Sequence, residues 1–251
     1  MATCGSTEPP LFVMHIPKTA GTTLAWIVKQ QYRPADVCHA YPGHLEQILA
    51  ARDQLCSPTP PRAVIGHYRF GLHDGILPAP RYVTLVRDPI DQVLSNFNYM
   101  AGSDDPLHKA VLPPGTGIDE FADHDQAGNL QTQFLTNQFR VDIEADPEGA
   151  YRKAIETLET YFVGVGTVEA FDASVRVIAD RVGWRVRPAP RLNQTPDRPG
   201  KLTRWTVSPA TLARIAAANE VDARVHEYAT RAVRAAGRRR TVWGWFARRA
   251  G

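Results

Sequence analysis

The stretch that most narrows what this chain can fold into is Leu11-Phe-Val-Met-His-Ile-Pro-Lys-Thr-Ala-Gly-Thr-Thr-Leu24. Leu11 to Ile16 is apolar apart from His15, a run that suits a short strand covered on both faces. Pro17 ends the hydrogen-bonded ladder, and Gly21 lets the backbone turn tightly. From Thr22 the period changes. Leu24, Ile27 and Val28 stand at i, i+3 and i+4, which predicts an amphipathic helix from Thr22 to about Tyr32. A strand, a tight polar loop and a helix N-terminus aim backbone amides at one point, and that point favours an anion. Lys18 brings a cation, and Thr19, Thr22 and Thr23 bring hydroxyls. An ordinary strand-to-helix turn with a solvated lysine is the plainer alternative.

A nucleoside-triphosphatase loop requires Gly, four residues, then Gly-Lys-Ser/Thr. Here Lys18 precedes Gly21, and neither Gly-Lys-Ser nor Gly-Lys-Thr occurs in the chain. The segment from His15 to Thr23 instead resembles the 5′-phosphosulfate loop of sulfotransferases that use 3′-phosphoadenosine 5′-phosphosulfate (PAPS). Its form is most similar to the carbohydrate type, the heparan sulfate 2-O-sulfotransferase-like family. The resemblance implies that Pro17, Lys18, Thr19, Ala20, Gly21, Thr22 and Thr23 bind the 5′-phosphosulfate. It also gives Lys18 a catalytic place near the bridging oxygen.

A second anion socket is predicted further on. Tyr82 to Val86 reads as a buried strand running into Arg87-Asp-Pro-Ile-Asp. Asp88 is suited to cap a helix, Pro89 fits its first position, and Asp91 favours the positive end of the dipole. Ile90, Val93, Leu94 and Phe97 make the core stripe, leaving Asp91, Ser95 and Tyr99 on another face. Arg87 at the strand tip offers a planar fork for phosphate oxygens, with the Ser95 hydroxyl converging on it. Arg-Asp-Pro with a serine eight residues after the arginine resembles the family's 3′-phosphate loop, which assigns that phosphate to Arg87 and Ser95. Many relatives carry a second arginine where this chain has Gln92. Between the two loops, the strand Ala63-Val-Ile65 delivers Gly66-His67. A histidine in such a loop is commonly just hydrogen-bonded, yet it is also the commonest general base. In the family a Gly-His pair at this place supplies the base, which points to His67, with His73 in reserve.

Strands alternating with helices imply an α/β fold with a central, mostly parallel sheet. The resemblance makes it the P-loop-like three-layer sandwich of sulfotransferases. Across 251 residues with 43% hydrophobic content, one domain, 1–251, has ample core. Residues 1–10 read as a flexible start and 32–43 as irregular. Leu45, Ile48 and Leu49 mark a helix that ends before Ser57-Pro-Thr-Pro-Pro61. Residues 101–117 read as loop. Asp119 to Phe139 holds a helix with Leu130, Phe134 and Leu135 inward, and Asn129 to Leu135 is similar to bacterial family members. We place the acceptor-facing wall in this middle portion, with a plain scaffold helix as the alternative. Asp146-Pro147 starts another helix with Tyr151, Ile155 and Leu158 inward, followed by the strand Phe162 to Val165 and a helix through Phe171, Val175, Ile178 and Val182. Ser208-Pro209 caps the last long helix, with Leu212, Ile215 and Ala216 inward. In relatives a late loop closes over the cofactor, which implies contacts from Asn193 and Thr195.

The formal net charge of +3 names no partner, and no nucleic-acid motif is present. The tail 238–251 mixes arginine with tryptophan and phenylalanine, a pattern suited to peripheral contact with an anionic membrane or to contact with nucleic acid, with a solvated end as the plainer alternative. The three cysteines have no metal-ligand spacing, and a cytosolic Cys38–Cys56 bridge is not expected. With no secretory signal and no apolar run of about 20 residues, a soluble cytoplasmic protein is expected. The resemblance implies transfer of a sulfuryl group from PAPS to a hydroxyl of a carbohydrate or small molecule, leaving adenosine 3′,5′-bisphosphate and using no metal. The rival classes are a nucleotide kinase or triphosphatase, and a non-catalytic anion- or membrane-binding module.

Overall fold

Five short strands form one all-parallel sheet: β1 (Leu11–Met14), β2 (Val37–Ala40), β3 (Ala63–Gly66), β4 (Arg81–Val86) and β5 (Phe162–Thr167), in the order β2-β3-β1-β4-β5. The computed structural model describes residues 8–41, 45–186 and 200–247. Every residue of β1 is buried, as its run of apolar side chains requires. The pleat then sorts them. Leu11 and Val13 face one layer, with Leu24, Ile27 and Val28 of α1 (Gly21–Gln31) and Val175 and Ile178 of α9 (Phe171–Val182). Phe12 and Met14 face the other, with Ala51 and Leu55 of α2 (Leu45–Leu55), Ala154 and Leu158 of α8 (Pro147–Tyr161), and Val225 and Ala229 of α11 (Glu220–Ala247). The result is a helix–sheet–helix sandwich. A satellite core under α3 (Pro89–Ala101) holds Val93, Leu94, Phe121 and Ile215.

Several elements depart from expectation. β2 lies inside the segment read as irregular. It is a four-residue edge strand paired only with β3, and its alternating exposure hides it from a search for apolar runs. The region 119–139 is two short helices, α5 (Ile118–Phe121) and α6 (Leu130–Thr136), because Asn129 takes a left-handed conformation at the start of α6. Residues 101–117 contain the short helix α4 (Pro106–Val111), which Asp105 caps by accepting from the Leu107 amide at 2.9 Å. A further short helix, α7 (Arg140–Ala145), precedes α8. Ser208 caps α10 (Pro209–Ala218), which is not the last helix. Thr211 and Ile215 face inward there, whereas Ala216 is exposed. The long final helix α11 follows and carries the first part of the basic tail. Cys38 and Cys56 are free thiols. Among the described residues no helix is long and apolar enough to cross a membrane.

Candidate anion-binding cleft and base

The residue immediately after each strand's C-terminal end lines one cleft: Tyr41 after β2, His67 after β3, His15 after β1, Arg87 after β4 and Val168 after β5. Parallel sheets place ligands at this edge, where neighbouring crossovers diverge. The cleft encloses about 2340 Å³ and also takes in Pro17, Lys18, Ala20, Gly21, Thr22, Thr23 and Ser95. Both predicted sockets therefore open into one space.

The first socket is built by the turn between β1 and α1. Lys18 and Ala20 adopt left-handed backbone, with φ of 65° and 61°. Holding non-glycine residues there costs on the order of 1 kcal/mol each, a strain typical of ligand cradles. Ala20 brings no side-chain cap to α1, and no acid stands in its first turn, so the positive end of the helix dipole is left to the cleft that Gly21 and Thr22 line. Gly21 is required for a different reason than turning. A β-carbon there would lie 1.6 Å from the His15 ring, which is packed directly against this turn. Thr19 behaves otherwise than expected. Its hydroxyl donates to the Ile16 carbonyl at 2.9 Å and closes the turn from inside, so it is buried and does not line the cleft.

The second socket is tied to the first. Arg87 Nη1 donates to the Lys18 carbonyl at 3.2 Å, and Gln92 Nε2 donates to the Pro17 carbonyl at 3.2 Å. Gln92 is fully buried and laces α3 to the loop. Asp88 caps α3 by accepting from the Asp91 amide at 3.2 Å, with Pro89 in the first turn. Burial lowers the Arg87 pKa, Asp91, Glu169 and Asp88 offset that in part, and Arg204 adds to it. Lys18 Nζ rests 4.0 Å from the centroid of the Tyr99 ring. Burial and the neighbouring Arg87 bring its pKa down to about 8.

His67 comes to the cleft with its tautomer set. Nδ1 lies 2.5 Å from the His15 carbonyl oxygen, which only accepts, so Nδ1 carries the proton and Nε2 keeps its lone pair. Burial lowers its pKa below 6.5. The carbonyl bond opposes that shift, and Lys18 adds to it. The His15 ring stacks obliquely on His67 at 4.1 Å, and the Tyr41 ring meets His67 edge-on at 5.0 Å. Gly66 is needed because a β-carbon there would fall 1.8 Å from the Ala40 carbonyl oxygen of β2. His73, the reserve base, is buried with its Nδ1 2.9 Å from the Tyr82 hydroxyl, away from the cleft lining.

Sequence reasoning passed over the residues that hold Arg87 in place. Gln131 of α6 takes the Arg87 amide on Oε1 at 2.8 Å and returns Nε2 to the Arg87 carbonyl at 2.9 Å. Asp222 of α11 caps α6 from another helix, accepting from the Gln131 and Thr132 amides at 2.9 and 2.7 Å and from the Thr132 hydroxyl at 2.6 Å. The Asn129–Leu135 motif is thus the support of the second socket. From the portion read as an acceptor wall, Asp105, Leu107, His108, Val111, Gln126 and Phe134 do line the cleft. Lys201, Arg204 and Trp205 line it too, from a segment after the late loop. Arg204 pairs with Asp88 and with Asp91, its Nε 2.7 Å from Asp91 Oδ1. Asn98 fixes that segment by exchanging two hydrogen bonds with the Leu202 backbone, at 2.7 and 2.9 Å. Asn193 and Thr195 lie outside the described residues. Among those described, no group of three or more His, Cys, Asp or Glu is placed to hold a metal ion.

What the arrangement provides is a turn of amides with a lysine, an arginine tied to that turn, a serine on the same cleft wall, and a neutral imidazole beside the turn. No family model and no curated protein matches this chain.

Proposed function

We propose that this protein transfers a sulfuryl group from PAPS to an acceptor hydroxyl, on a P-loop-like sulfotransferase architecture. The observation that carries the reading is the shared cleft. Lys18 with the α1 N-terminus, Arg87 with Ser95, and His67 all open into it, and Arg87 is bonded to the Lys18 backbone. PAPS bears an anion at each end, which is the ligand two linked sockets suit. In this reading the amides from Ala20 to Thr22 and the Lys18 ammonium hold the 5′-phosphosulfate, the Thr23 amide being spent on the Ala20 carbonyl, and Arg87 and Ser95 hold the 3′-phosphate.

His67 Nε2 takes the proton of the acceptor hydroxyl as its oxygen bonds to sulfur. The bond from sulfur to the bridging oxygen breaks in line, and that oxygen keeps the electron pair. Lys18 stabilises the charge that gathers on the departing phosphate of adenosine 3′,5′-bisphosphate. As in phosphoryl transfer, positioning and electrostatics supply the rate. The acceptor class we favour is a carbohydrate or glycosylated metabolite, which rests on the resemblance of the two loops.

The test is transfer of labelled sulfate from PAPS to a panel of glycans and hydroxylated small molecules. Transfer that disappears in Lys18→Ala and in His67→Ala, with both variants folded, supports the reading. No transfer to any acceptor, together with hydrolysis of magnesium-ATP, would replace it with a kinase or triphosphatase.

A further inference from the structure

Tyr99 belongs to neither socket. It stands on the exposed face of α3 two turns beyond Asp91 and one beyond Ser95, and it is 44% exposed at the cleft wall. Its ring is nevertheless placed. The His108 ring meets it edge-on at 5.0 Å, and His108 is itself steadied by a 2.7 Å bond between Nδ1 and the Ser103 hydroxyl. The Lys18 ammonium sits over the face of this ring, 4.0 Å from its centroid. A flexible lysine stem gives up several rotamers to stay there. The groups acting on Lys18 from the surrounding elements are the Arg87 cation at the end of β4 and the two uncharged imidazoles His15 and His67 after β1 and β3. On α3 the carboxylate of Asp91 is engaged by Arg204. The Tyr99 ring face is therefore the attractive partner that the geometry gives the ammonium.

We propose that Tyr99 is the positioning residue for Lys18, its ring face holding the ammonium cation in the anion socket both before and after a ligand anion binds. Burial and Arg87 both drive Lys18 towards its neutral form, and the ring's quadrupole opposes them. The role extends the proposed function, since it rests on Lys18 serving an incoming anion. Its test does not depend on what that anion is.

The ligand-free protein, labelled with 13Cε-lysine, is titrated by NMR, with the Lys18 signal assigned by its loss in Lys18→Arg. Tyr99→Leu keeps apolar bulk and removes the π face, whereas Tyr99→Phe keeps the face and removes the hydroxyl. The expected result is a Lys18 midpoint lower by about half to one unit in Tyr99→Leu and unmoved in Tyr99→Phe. In parallel, affinity for adenosine 3′,5′-bisphosphate falls several-fold in Tyr99→Leu above the wild-type midpoint and is unchanged well below it. An unmoved or raised midpoint in Tyr99→Leu, or a Phe variant that behaves like Leu, overturns the proposal. Should the nucleotide fail to bind even the wild-type protein while the midpoint shifts as stated, the positioning role stands and the sulfotransferase reading falls.

Discussion

In the proposed transfer, His67 and Lys18 set opposite limits on the working pH. The base must be neutral, and burial keeps His67 neutral down to below 6.5. Lys18 must be charged, and its pKa of about 8 means that the free enzyme loses that charge as pH rises through 8. Because kcat/KM reports the free enzyme, its pH profile is expected to be a bell with an acid limb below 6.5 and an alkaline limb near 8. A profile still rising at pH 9 would remove Lys18 from the mechanism. Removing the base in His67→Ala is expected to cost about 10²–10⁴-fold in kcat, read in single-turnover assays. The placement of both at the sheet's C-terminal edge was legible because the sequence sets each beside a strand end or a glycine turn. Thr19 was misread because a hydroxyl in a loop reads as a ligand donor, while closing a turn on the Ile16 carbonyl leaves no trace in spacing.

Among the elements, the second socket depends on contacts that cross long stretches of sequence. Gln131 spans both backbone groups of Arg87, and Asp222 caps the helix that carries Gln131. Gln131→Ala is expected to cost about 1–3 kcal/mol in denaturant unfolding and to weaken adenosine 3′,5′-bisphosphate binding, although it touches no ligand. Unchanged nucleotide affinity in a folded Gln131→Ala would show that Arg87 needs no such support. Gly66→Ala sets a β-carbon against the β2 backbone itself, at 1.8 Å, so the edge strand must move. A loss of about 3 kcal/mol is expected from thermal or denaturant melts. At this scale sequence reading found β1, β3, β4, β5 and the caps at Asp88 and Asp146, all of which are local signals. It missed β2, and it could not see Asp222, because a capping partner 92 positions downstream of Leu130 is set by tertiary packing.

Across the whole molecule, the N-terminal part of α11 is tied to the cleft by His226 and Glu169, whose Nε2 and Oε2 lie 2.9 Å apart, while Glu169 also accepts from the Asp88 amide at 2.9 Å. Burial pushes both towards neutrality, yet the hydrogen bonds prevail: Glu169 titrates below 4.5 and His226 above 6.5. Glu169's share of stability is present above 4.5 and is lost as pH falls through its lowered folded value. The share from His226 is present below 6.5 and is lost as pH rises through its raised folded value. Glu169→Gln is therefore expected to lower the melting temperature most between pH 4.5 and 6.5, and less at either side. A penalty that does not vary with pH would contradict the pairing. The layered α/β order was readable from alternating strand and helix patterns, whereas the strand order and the packing of α11 on β5 and α6 needed coordinates.

In the proposed function, two sockets in one cleft serve the two ends of one nucleotide. Calorimetry of adenosine 3′,5′-bisphosphate against adenosine 5′-monophosphate measures it directly, because the two differ only at the 3′ end. The account predicts one bisphosphate per chain, bound at least about 10-fold more tightly than the monophosphate, a gap of about 1.4 kcal/mol. That gap should close in Arg87→Ala, while Lys18→Ala weakens both ligands. Equal affinity for the two nucleotides, or a gap that survives Arg87→Ala, would contradict it.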